Sequence, residues 1–350
     1  MKNKIPVGIL GATGSVGQKF IELLTDHPWF EITELGASEK SAGKKYSEAV
    51  NWVMQKPLPD KFGEMLVKNC VPDFNSKLLF SALDASVAGE IETEFANEGY
   101  IVVSNARNHR FDEDVPLMIP EVNPDHLELI NRQKYKGAIV TNPNCSTIGL
   151  ALALKPLQDK FGIEAVNVVT MQAVSGSGYP GISSLDMIDN VVPFIGGEEA
   201  KMESEPSKIF GELSASGKIS PADFKISAQC NRVPVIDGHL ECVQVKLRSK
   251  QSKEEVISAW ENFSSEPQTL QLPFAPAYPV KYSRDEKHPQ PKLHRNEGRG
   301  MTVTVGRLRE CSLFDYKFVV LSHNTIRGAA GGTILNAELM KAKGYLDKIL

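Results

Sequence analysis

Short apolar runs alternate with amphipathic segments along the N-terminal part of the chain. Apolar runs of about four to eight residues, bounded by turn signals, are typical of buried strands. The segments between the runs carry helical patterns, and strands that alternate with helices predict a parallel, doubly wound sheet. The predicted strands are residues 7–10, 32–37, 78–83, 101–104 and 137–140.

The later part of the chain has a different pattern. Residues 164–174 alternate and then become apolar, and a second alternating run, residues 239–245, follows an Asp-Gly turn. Strand patterns return at residues 301–308 and 317–322, and we expect a second, mostly antiparallel sheet. The remaining segments are a charged helix at 196–208, an exposed excursion at 281–294 and a C-terminal helix that ends near residue 345.

A glycine turn, Gly11-Ala12-Thr13-Gly14-Ser15-Val16-Gly17, lies between the first predicted strand and the first helix. In dinucleotide-binding units, glycines at this place let the backbone approach a pyrophosphate, which then binds at the helix N-terminus. The spacing is G-x-x-G-x-x-G rather than G-x-G-x-x-G, and an ordinary tight turn is the alternative. Its position at the start of the chain favours nucleotide binding.

The loop after the second predicted strand indicates which nucleotide is bound. An NAD-specific unit usually has an acidic residue here for the ribose 2′-hydroxyl. In this chain the loop has mainly hydroxyl and lysine side chains, including Ser38, Lys40 and Ser41, which suit the 2′-phosphate of NADP. Glu39 could still bind a ribose, and the lysines could belong to a solvated loop.

Cys145 lies where the strand at 137–140 gives way to a long apolar segment that predicts a core helix. Unpaired N–H groups and the positive end of a helix dipole meet at a helix N-terminus, and both favour a thiolate over a thiol. A lone cysteine is more often a small buried hydrophobe. The flanking Asn142-Pro143-Asn144 and Ser146-Thr147 favour a nucleophile here.

Several other side chains have a chemical and a structural interpretation. Arg107 and Arg110 follow the strand at 101–104 and could bind a phosphate or carboxylate, or be solvated. Glu198 and Lys201 share a helical face, as a ligand-binding pair or a simple ion pair. His239 begins a strand beside a turn and is the best placed of the seven histidines to act as an acid or base.

Composition narrows the possible partners. A chain of 350 residues is long enough for two domains, and a net charge of −4 with mixed signs gives no basic surface for nucleic acid or anionic membranes. No apolar run approaches the roughly 20 residues of a membrane span, and no signal-peptide pattern occurs at the N-terminus. Five scattered cysteines form neither a disulfide pattern nor a metal-binding pair. We therefore expect a cytoplasmic protein without a metal, acting on a small molecule.

Six motifs together resemble the aspartate-β-semialdehyde dehydrogenase family, in particular its archaeal and fungal branch. They occur in the family's order with similar spacing, and the resemblance covers nearly the whole chain. The motifs are residues 11–17, 104–108, 143–147, 172–176, 232–239 and 324–328.

The resemblance implies an α/β fold with a Rossmann-like, doubly wound N-terminal domain and a C-terminal α+β domain for catalysis and dimerisation. The NADP-binding domain would be residues 1–144, completed by the helix at 325–350, and the catalytic and oligomerisation domain residues 145–324. A homodimer or homotetramer is implied.

The resemblance also implies roles for individual residues. Cys145 would be the acyl-forming nucleophile and His239 its acid–base partner, while Gln172 and Arg232 hold the substrate, Arg232 by a two-pronged grip on its carboxylate. Asn144 would belong to the same site, with Arg107 and Lys201 binding phosphate and Glu198 the substrate ammonium. The residues lining NADP would be Gly11, Thr13, Gly14, Ser15, Val16, Ser38, Lys40, Ser41, Ser81, Ser175, Gly176 and Asn324. The branch often has an arginine where this chain has Lys40.

The implied reaction is the NADPH-dependent reduction of L-4-aspartyl phosphate to L-aspartate 4-semialdehyde through a Cys145 thioester. It supplies lysine, threonine and methionine synthesis. The rival interpretations are malonyl-CoA reductase, N-acetyl-glutamyl-phosphate reductase, a glyceraldehyde-3-phosphate dehydrogenase relative, a non-catalytic NADP-binding protein and a cysteine hydrolase. Arg232 and Glu198 favour an aspartyl substrate over the first three, and Cys145, Gln172 and His239 disfavour a non-catalytic protein. A hydrolase leaves the N-terminal glycine turn unexplained.

Overall fold

The computed structural model describes residues 4–347. The strands of this part of the chain are β1 (Ile5–Leu10), β2 (Phe30–Ala37), β3 (Val67–Asn69), β4 (Leu78–Ser81), β5 (Ile101–Ser104), β6 (Ala138–Thr141), β7 (Ile163–Gln172), β8 (Glu212–Leu213), β9 (Ile219–Ser220), β10 (Lys225–Arg232), β11 (His239–Leu247), β12 (Val280–Ser283), β13 (Val303–Glu310) and β14 (Tyr316–Ser322).

The helices are α1 (Ser15–Leu24), α2 (Tyr46–Ala49), α3 (Asp60–Gly63), α4 (Ala85–Asn97), α5 (Cys145–Phe161), α6 (Ser184–Met187), α7 (Glu198–Ile209), α8 (Lys253–Glu261), α9 (Glu266–Thr269), α10 (Pro291–His294) and α11 (Gly331–Ala342). Short 3₁₀ segments lie at Pro124–Arg132, Val174–Ser177 and Glu297–Gly300, and a π-helical turn spans Ile326–Ala330. No helix within residues 4–347 has the length and apolar character that crossing a membrane requires.

The chain divides into two compact units. The first contains the residues up to Met118, Asp125–Asn142 and the residues from Ala329 onward, and the second contains Ile119–Pro124 and Pro143–Gly328. The predicted domain limits at residues 1 and 350 lie outside the described residues.

The first unit is built on a six-stranded sheet in the order β3-β2-β1-β4-β5-β6, with every neighbouring pair parallel. Every residue of β4, β5 and β6 is buried, which explains their continuous apolar runs. The predicted doubly wound sheet is thereby confirmed. The strand order reverses between β1 and β4, the point where sheets of this kind bind ligands outside the carboxyl ends of their strands.

The second unit contains a six-stranded sheet in the order β10-β7-β11-β14-β13-β12. The three central pairings are antiparallel and the two outer ones are parallel, which confirms a mostly antiparallel sheet. The prediction of an exposed excursion at residues 281–294 is wrong for residues 281–283, which belong to strand β12. β12 begins at the buried Val280 and pairs with β13, and a four-residue strand directly after Pro279 is too short to show a period in the sequence.

Helix α5 is the core of the second unit. Its segment Ile148–Leu154 is fully buried, and the helix packs on α7, α8 and the strands β7, β11, β13 and β14. Gly149 permits this packing, because a Cβ atom there would lie 2.5 Å from Oγ of Ser322 on β14. The predicted core helix is confirmed, and it begins at Cys145 itself.

Candidate active site

Asn144 is the N-cap of α5 and fixes the backbone on which Cys145 lies. Its Oδ1 atom accepts hydrogen bonds from the backbone N–H groups of Ser146 at 3.0 Å and Thr147 at 3.3 Å. On the other side, Gly328 contacts Cys145 so closely that a Cβ atom there would lie 2.7 Å from Cys145 Cβ. The Cys145 thiol therefore lies at the N-terminus of α5, between the turn that Asn144 caps and the backbone of Gly328, which has no side chain.

His239 places its Nε2 atom 3.3 Å from the Cys145 Sγ atom, although the two residues are 94 positions apart. It is the first residue of β11, directly after Gly238, whose φ of +100° favours glycine. The other ring nitrogen, Nδ1, accepts the backbone N–H of Ala173 at 3.0 Å. Both ring nitrogens therefore have a partner: Nε2 contacts the Cys145 thiol, and Nδ1 accepts a hydrogen bond from the backbone directly after β7.

The surroundings of His239 disfavour a charged ring. Complete burial, followed by the charges of Arg232 and His323, lowers its pKa to about 3. The imidazole is therefore neutral at physiological pH.

Arg232 ends β10 and is 3% exposed. Its Nη1 atom donates to the Ala173 carbonyl at 2.7 Å, whereas its buried Nε has no hydrogen-bond partner among the described residues. Burial lowers the pKa of its guanidinium, although the charges of Cys145 and Glu198 oppose this change. A buried guanidinium with an unpaired donor is suited to bind an anion from outside the chain.

Glu198 is the first residue of α7 and connects three predicted site residues. Its carboxylate accepts from Nδ2 of Asn144 at 2.9 Å and 3.0 Å, from Nε2 of Gln172 at 3.3 Å, and from Nζ of Lys201 at 2.6 Å. Burial opposes ionisation, but the charge of Lys201 and these hydrogen bonds outweigh it and lower the pKa of Glu198. A buried, ionised carboxylate therefore lies beside the residue that caps α5.

Glu205 is a site residue that the sequence analysis missed. It lies fully buried on α7, and its Oε2 atom accepts the backbone N–H of Asn144 at 2.7 Å. Glu205 follows Glu198 by seven residues, a spacing of about two helical turns that puts both on one face. That spacing was the signal available in the sequence.

Three residues predicted to line NADP lie in this second unit. Asn324 donates through Nδ2 to the Ser175 hydroxyl at 2.8 Å and accepts the Gly238 N–H at 2.8 Å. A Cβ atom at Gly176 would lie 2.8 Å from Nη1 of Arg232 and 3.2 Å from Cε1 of His239. Glycine at position 176 therefore leaves space next to both side chains.

The other predicted cofactor residues lie in the first unit. Gly11 has a φ of +75°, and a Cβ atom there would lie 2.6 Å from the Ala82 carbonyl oxygen, so the turn after β1 packs against the end of β4. Gly14 is the N-cap of α1, which has no side-chain cap and no acidic residue in its first turn. Thr13, Ser15 and Val16 lie in this turn or begin α1, and Ser38, Lys40 and Ser41 follow β2.

This end of the parallel sheet fits a dinucleotide. The uncapped N-terminus of α1 leaves N–H groups for a pyrophosphate, and the hydroxyl and ammonium groups after β2 suit a ribose phosphate.

Ser81 differs from the other predicted cofactor residues of this unit, because its buried hydroxyl donates to Glu92 at 2.6 Å. Arg107 is exposed after β5, whereas Arg110 is buried and donates to the Asn105 carbonyl at 2.8 Å.

The second unit thus unites a thiol, an imidazole, a guanidinium and a carboxylate, through Cys145, His239, Arg232 and Glu198. A thiol at a helix N-terminus beside an imidazole is the arrangement of a covalent nucleophile. The neighbouring groups of opposite charge suit a small zwitterionic substrate.

Known proteins with the same architecture identify the family. The family profile described as "Semialdehyde dehydrogenase, NAD binding domain" matches residues 6–130, and "Semialdehyde dehydrogenase, dimerisation domain" matches residues 154–327. The aspartate-semialdehyde dehydrogenase of Archaeoglobus fulgidus is 50% identical over 339 residues, which cover 95% of this chain and 97% of the relative. That of Schizosaccharomyces pombe is 50% identical over 352 residues, which cover 97% and 99%.

A solved structure agrees with these matches. The crystal structure of aspartate semialdehyde dehydrogenase with NADP from Candida albicans has a TM-score of 0.91 and 45% identity, and the match covers 97% of this chain and 99% of that one. The predicted resemblance to the archaeal and fungal branch is confirmed. This chain belongs to the aspartate-semialdehyde dehydrogenase family.

Proposed function

We propose that this protein catalyses the NADPH-dependent reductive dephosphorylation of L-4-aspartyl phosphate to L-aspartate 4-semialdehyde, a step of amino-acid biosynthesis. The observation that carries the proposal is the 3.3 Å contact of Cys145 with His239 next to a buried Arg232, whose Nε has no hydrogen-bond partner in the described part of the chain. A nucleophile for an acyl group and an anchor for a carboxylate thus occur in one site. Membership of the family supports the same reaction.

Cys145 attacks the acyl carbon and displaces phosphate, which gives a thioester. The N-terminus of α5 favours the thiolate that this step needs. Asn144 caps the first turn of α5, which contains the nucleophile, and Glu205 fixes the Asn144 backbone. The sulfur is therefore positioned before the substrate binds, which lowers the entropic cost of reaching the reactive geometry.

Arg232 and Glu198 select the substrate by charge. The α-carboxylate binds the Arg232 guanidinium, and the α-ammonium binds the ionised Glu198, with Gln172 as a further polar contact. Arg107 and Lys201 bind the phosphate. The Lys201 ammonium contacts Glu198 at 2.6 Å, so we assign Lys201 the additional task of keeping this carboxylate charged.

NADPH supplies the hydride that reduces the acyl group. The first-unit residues that hold it are the glycine turn from Gly11 to Val16 and the loop with Ser38, Lys40 and Ser41. In the second unit, Ser175, Gly176 and Asn324 contribute. The buried Ser81 hydroxyl is engaged by Glu92, so we assign Ser81 a role in shaping the strand end rather than a hydroxyl contact to the cofactor. The Candida albicans relative that was solved with NADP supports this cofactor.

We also propose a homo-oligomer that assembles through the second unit, as a dimer or a tetramer. A match to a family profile described as a dimerisation domain supports this. The same unit exposes large apolar side chains in the segment 185–194, among them Leu185, Ile188 and Phe194. Light scattering coupled to size-exclusion chromatography measures the number of subunits.

The test of the activity is the reduction of NADP⁺ by the purified protein with L-aspartate 4-semialdehyde, followed at 340 nm with and without phosphate. NAD⁺ and malonyl-CoA reduction are the controls. Activity that requires both phosphate and NADP⁺ supports the substrate and the acyl-enzyme route. NADPH oxidation with malonyl-CoA but no activity with the semialdehyde would assign the protein to a rival reductase and remove the roles of Glu198 and Arg107.

A further inference from the structure

Two buried polar side chains hold the glycine turn between β1 and α1. The Tyr46 hydroxyl, at the start of α2, donates to the Ala12 carbonyl at 2.7 Å. Gln18 on α1 donates through Nε2 to the Thr13 carbonyl at 2.9 Å. Both side chains are buried, so water does not compete for these bonds. Two consecutive carbonyl groups of the turn are therefore each fixed by a side chain.

The contact with Tyr46 also sets the direction of a backbone N–H group. The peptide unit that joins Ala12 to Thr13 is planar and trans, so its N–H group points opposite to its carbonyl. Because Tyr46 holds that carbonyl, the Thr13 N–H points away from Tyr46. This N–H group makes no hydrogen bond within residues 4–347. It is therefore oriented and available to a ligand.

The other carbonyls of the turn are engaged by backbone donors. The Gly11 carbonyl accepts the Gly14 N–H at 3.1 Å, and the Gly14 carbonyl accepts the Gln18 N–H at 2.9 Å. The first N–H groups of α1, at Ser15 and Val16, lie before the point where intrahelical bonds begin, and the helix has no side-chain cap. Each carbonyl of residues 11–14 thus has a donor, and the turn presents N–H groups, the polarity that an anion requires.

Gln18 also connects the glycine turn to the segment after β2. It donates a second hydrogen bond to the Asn51 carbonyl at 3.0 Å, and its Oε1 accepts the Val53 N–H at 2.8 Å. Both N–H groups and the oxygen of this buried amide are thereby used, which fixes its orientation. Both ends of residues 46–53 are therefore attached to the turn, shortly after residues 38–41, which we assign to the 2′-phosphate.

We propose that Tyr46 and Gln18 are positioning residues for the diphosphate group of the dinucleotide. Neither side chain contacts the cofactor in this role, because each acts through a peptide unit of the glycine turn. Without the Tyr46 hydroxyl, the Ala12 carbonyl is free to turn toward a bound diphosphate, and its partial negative charge then repels the anion. The inference deepens the proposed function and rests on it, since it requires the dinucleotide that we assign to the first unit.

The test removes one hydroxyl and measures nucleotide binding. Tyr46→Phe retains the buried ring. Tyr100→Phe is the matched control, because the buried Tyr100 hydroxyl donates to the Phe74 carbonyl across the same 2.7 Å, but at the amino end of β5. Calorimetric titration compares NADP⁺ with adenosine 2′-monophosphate, which has no diphosphate. Urea unfolding of both variants shows how much stability each hydroxyl contributes.

We expect a loss that is specific to the ligand with the diphosphate. Tyr46→Phe should weaken NADP⁺ binding by roughly 3- to 10-fold, the equivalent of one net hydrogen bond, and leave the binding of adenosine 2′-monophosphate unchanged. KM for NADP⁺ should rise by the same factor while kcat is retained. Tyr100→Phe should bind both nucleotides as the wild type does. Equal losses for both nucleotides, or unchanged NADP⁺ binding in Tyr46→Phe, would overturn the proposal.

A second variant tests the amide. Gln18→Met keeps the length of the side chain without its donors, and it should weaken NADP⁺ more than adenosine 2′-monophosphate. Equal weakening of the two nucleotides would remove Gln18 from this role.

These titrations use no substrate, so they separate the inference from the proposed activity. Selective loss of NADP⁺ binding in Tyr46→Phe, together with a wild type that is inactive with the semialdehyde, would support the inference and refute the reaction. An active enzyme whose Tyr46→Phe and Tyr100→Phe variants bind NADP⁺ alike would refute the inference alone. A wild type that binds no NADP⁺ would overturn both.

Discussion

The Nη1 atom of Arg232 donates to the backbone carbonyl of Ala173 across 2.7 Å. This bond orients the guanidinium, while the buried Nε lacks a partner among residues 4–347. Burying a charged donor without a partner costs stability, and we propose that a carboxylate of the substrate satisfies this donor. The proposed anchor for the substrate is therefore oriented before the substrate binds.

Replacement of this guanidinium tests the role of Arg232. Arg232→Lys retains a charge but presents one ammonium in place of a planar fork. We expect kcat/KM for the semialdehyde to fall by roughly 10- to 100-fold, because a charged hydrogen bond contributes about 1.5–3 kcal/mol. Steady-state kinetics measure this, with the exposed Arg248→Lys as the control. Unchanged kcat and KM would remove Arg232 from the substrate site.

Removal of the thiol separates chemistry from nucleotide binding. Cys145→Ala should abolish turnover, because no acyl bond forms, while NADP binding persists on the first unit. Cofactor titration by fluorescence and assays at high enzyme concentration measure both properties. Cys242→Ala, which removes an exposed thiol on β11, should keep full activity. Turnover of the Cys145 variant would disprove its role as the nucleophile.

Glu121 and Arg327 form a fully buried ion pair in the second unit, with two hydrogen bonds between guanidinium and carboxylate. Arg327→Met leaves Glu121 buried without this partner and should lower the free energy of unfolding by about 3–5 kcal/mol. The double variant Glu121→Met and Arg327→Met should regain much of this loss, since no buried charge remains. Urea unfolding at pH 7 measures both. A double variant as unstable as the single one would contradict the ion-pair explanation.

Glu241 makes the stability of the second unit depend on pH. Burial raises its pKa well above 4.5, so the folded state retains a proton that the unfolded chain has released. The contribution of this proton to the free energy of unfolding is complete at pH values below the pKa that Glu241 has in the unfolded chain. It is lost as the pH rises toward the folded pKa, by about 1.4 kcal/mol per pH unit. Glu241→Gln carries no such proton and should therefore gain stability over the wild type as the pH rises from the unfolded pKa toward the folded one.

Urea unfolding at pH 7, 8 and 9 measures this difference, with the exposed Glu310→Gln on β13 as the control. The range from pH 7 to 9 lies above the pH values at which His239 affects stability. Its pKa is lowered to about 3 in the folded protein, so His239 changes the free energy of unfolding only as the pH falls below 6.5. A difference that stays constant with pH would mean that Glu241 is ionised in the folded protein.

Much of the fold was predictable because its signals are local. The buried strands β4, β5 and β6 are continuous apolar runs, and α5 follows its capping Asn144 directly. β12 was not predictable, because its pairing with β13 depends on residues far along the chain rather than on its own pattern.

The site residues were named from motifs, but their contacts needed the structure. His239 is 94 positions from Cys145, and no local pattern gives that distance. Ala173 contributes only its backbone N–H and carbonyl, which any residue other than proline at this position has, so its side chain carried no signal. Glu205 was not recognised because it lies in a charged helix directly after the exposed Glu203 and Ser204.

The tight contact of Gly328 with Cys145 has a consequence for the order in which the protein becomes active during its synthesis. Cys145, His239 and Gly328 leave the ribosome in this order, because synthesis starts at the N-terminus. A nascent chain that stops before residue 328 lacks the backbone that packs against Cys145. The surroundings of the Cys145 sulfur are therefore complete only after residue 328 has been synthesised, and chains that are truncated before it carry an incomplete candidate site.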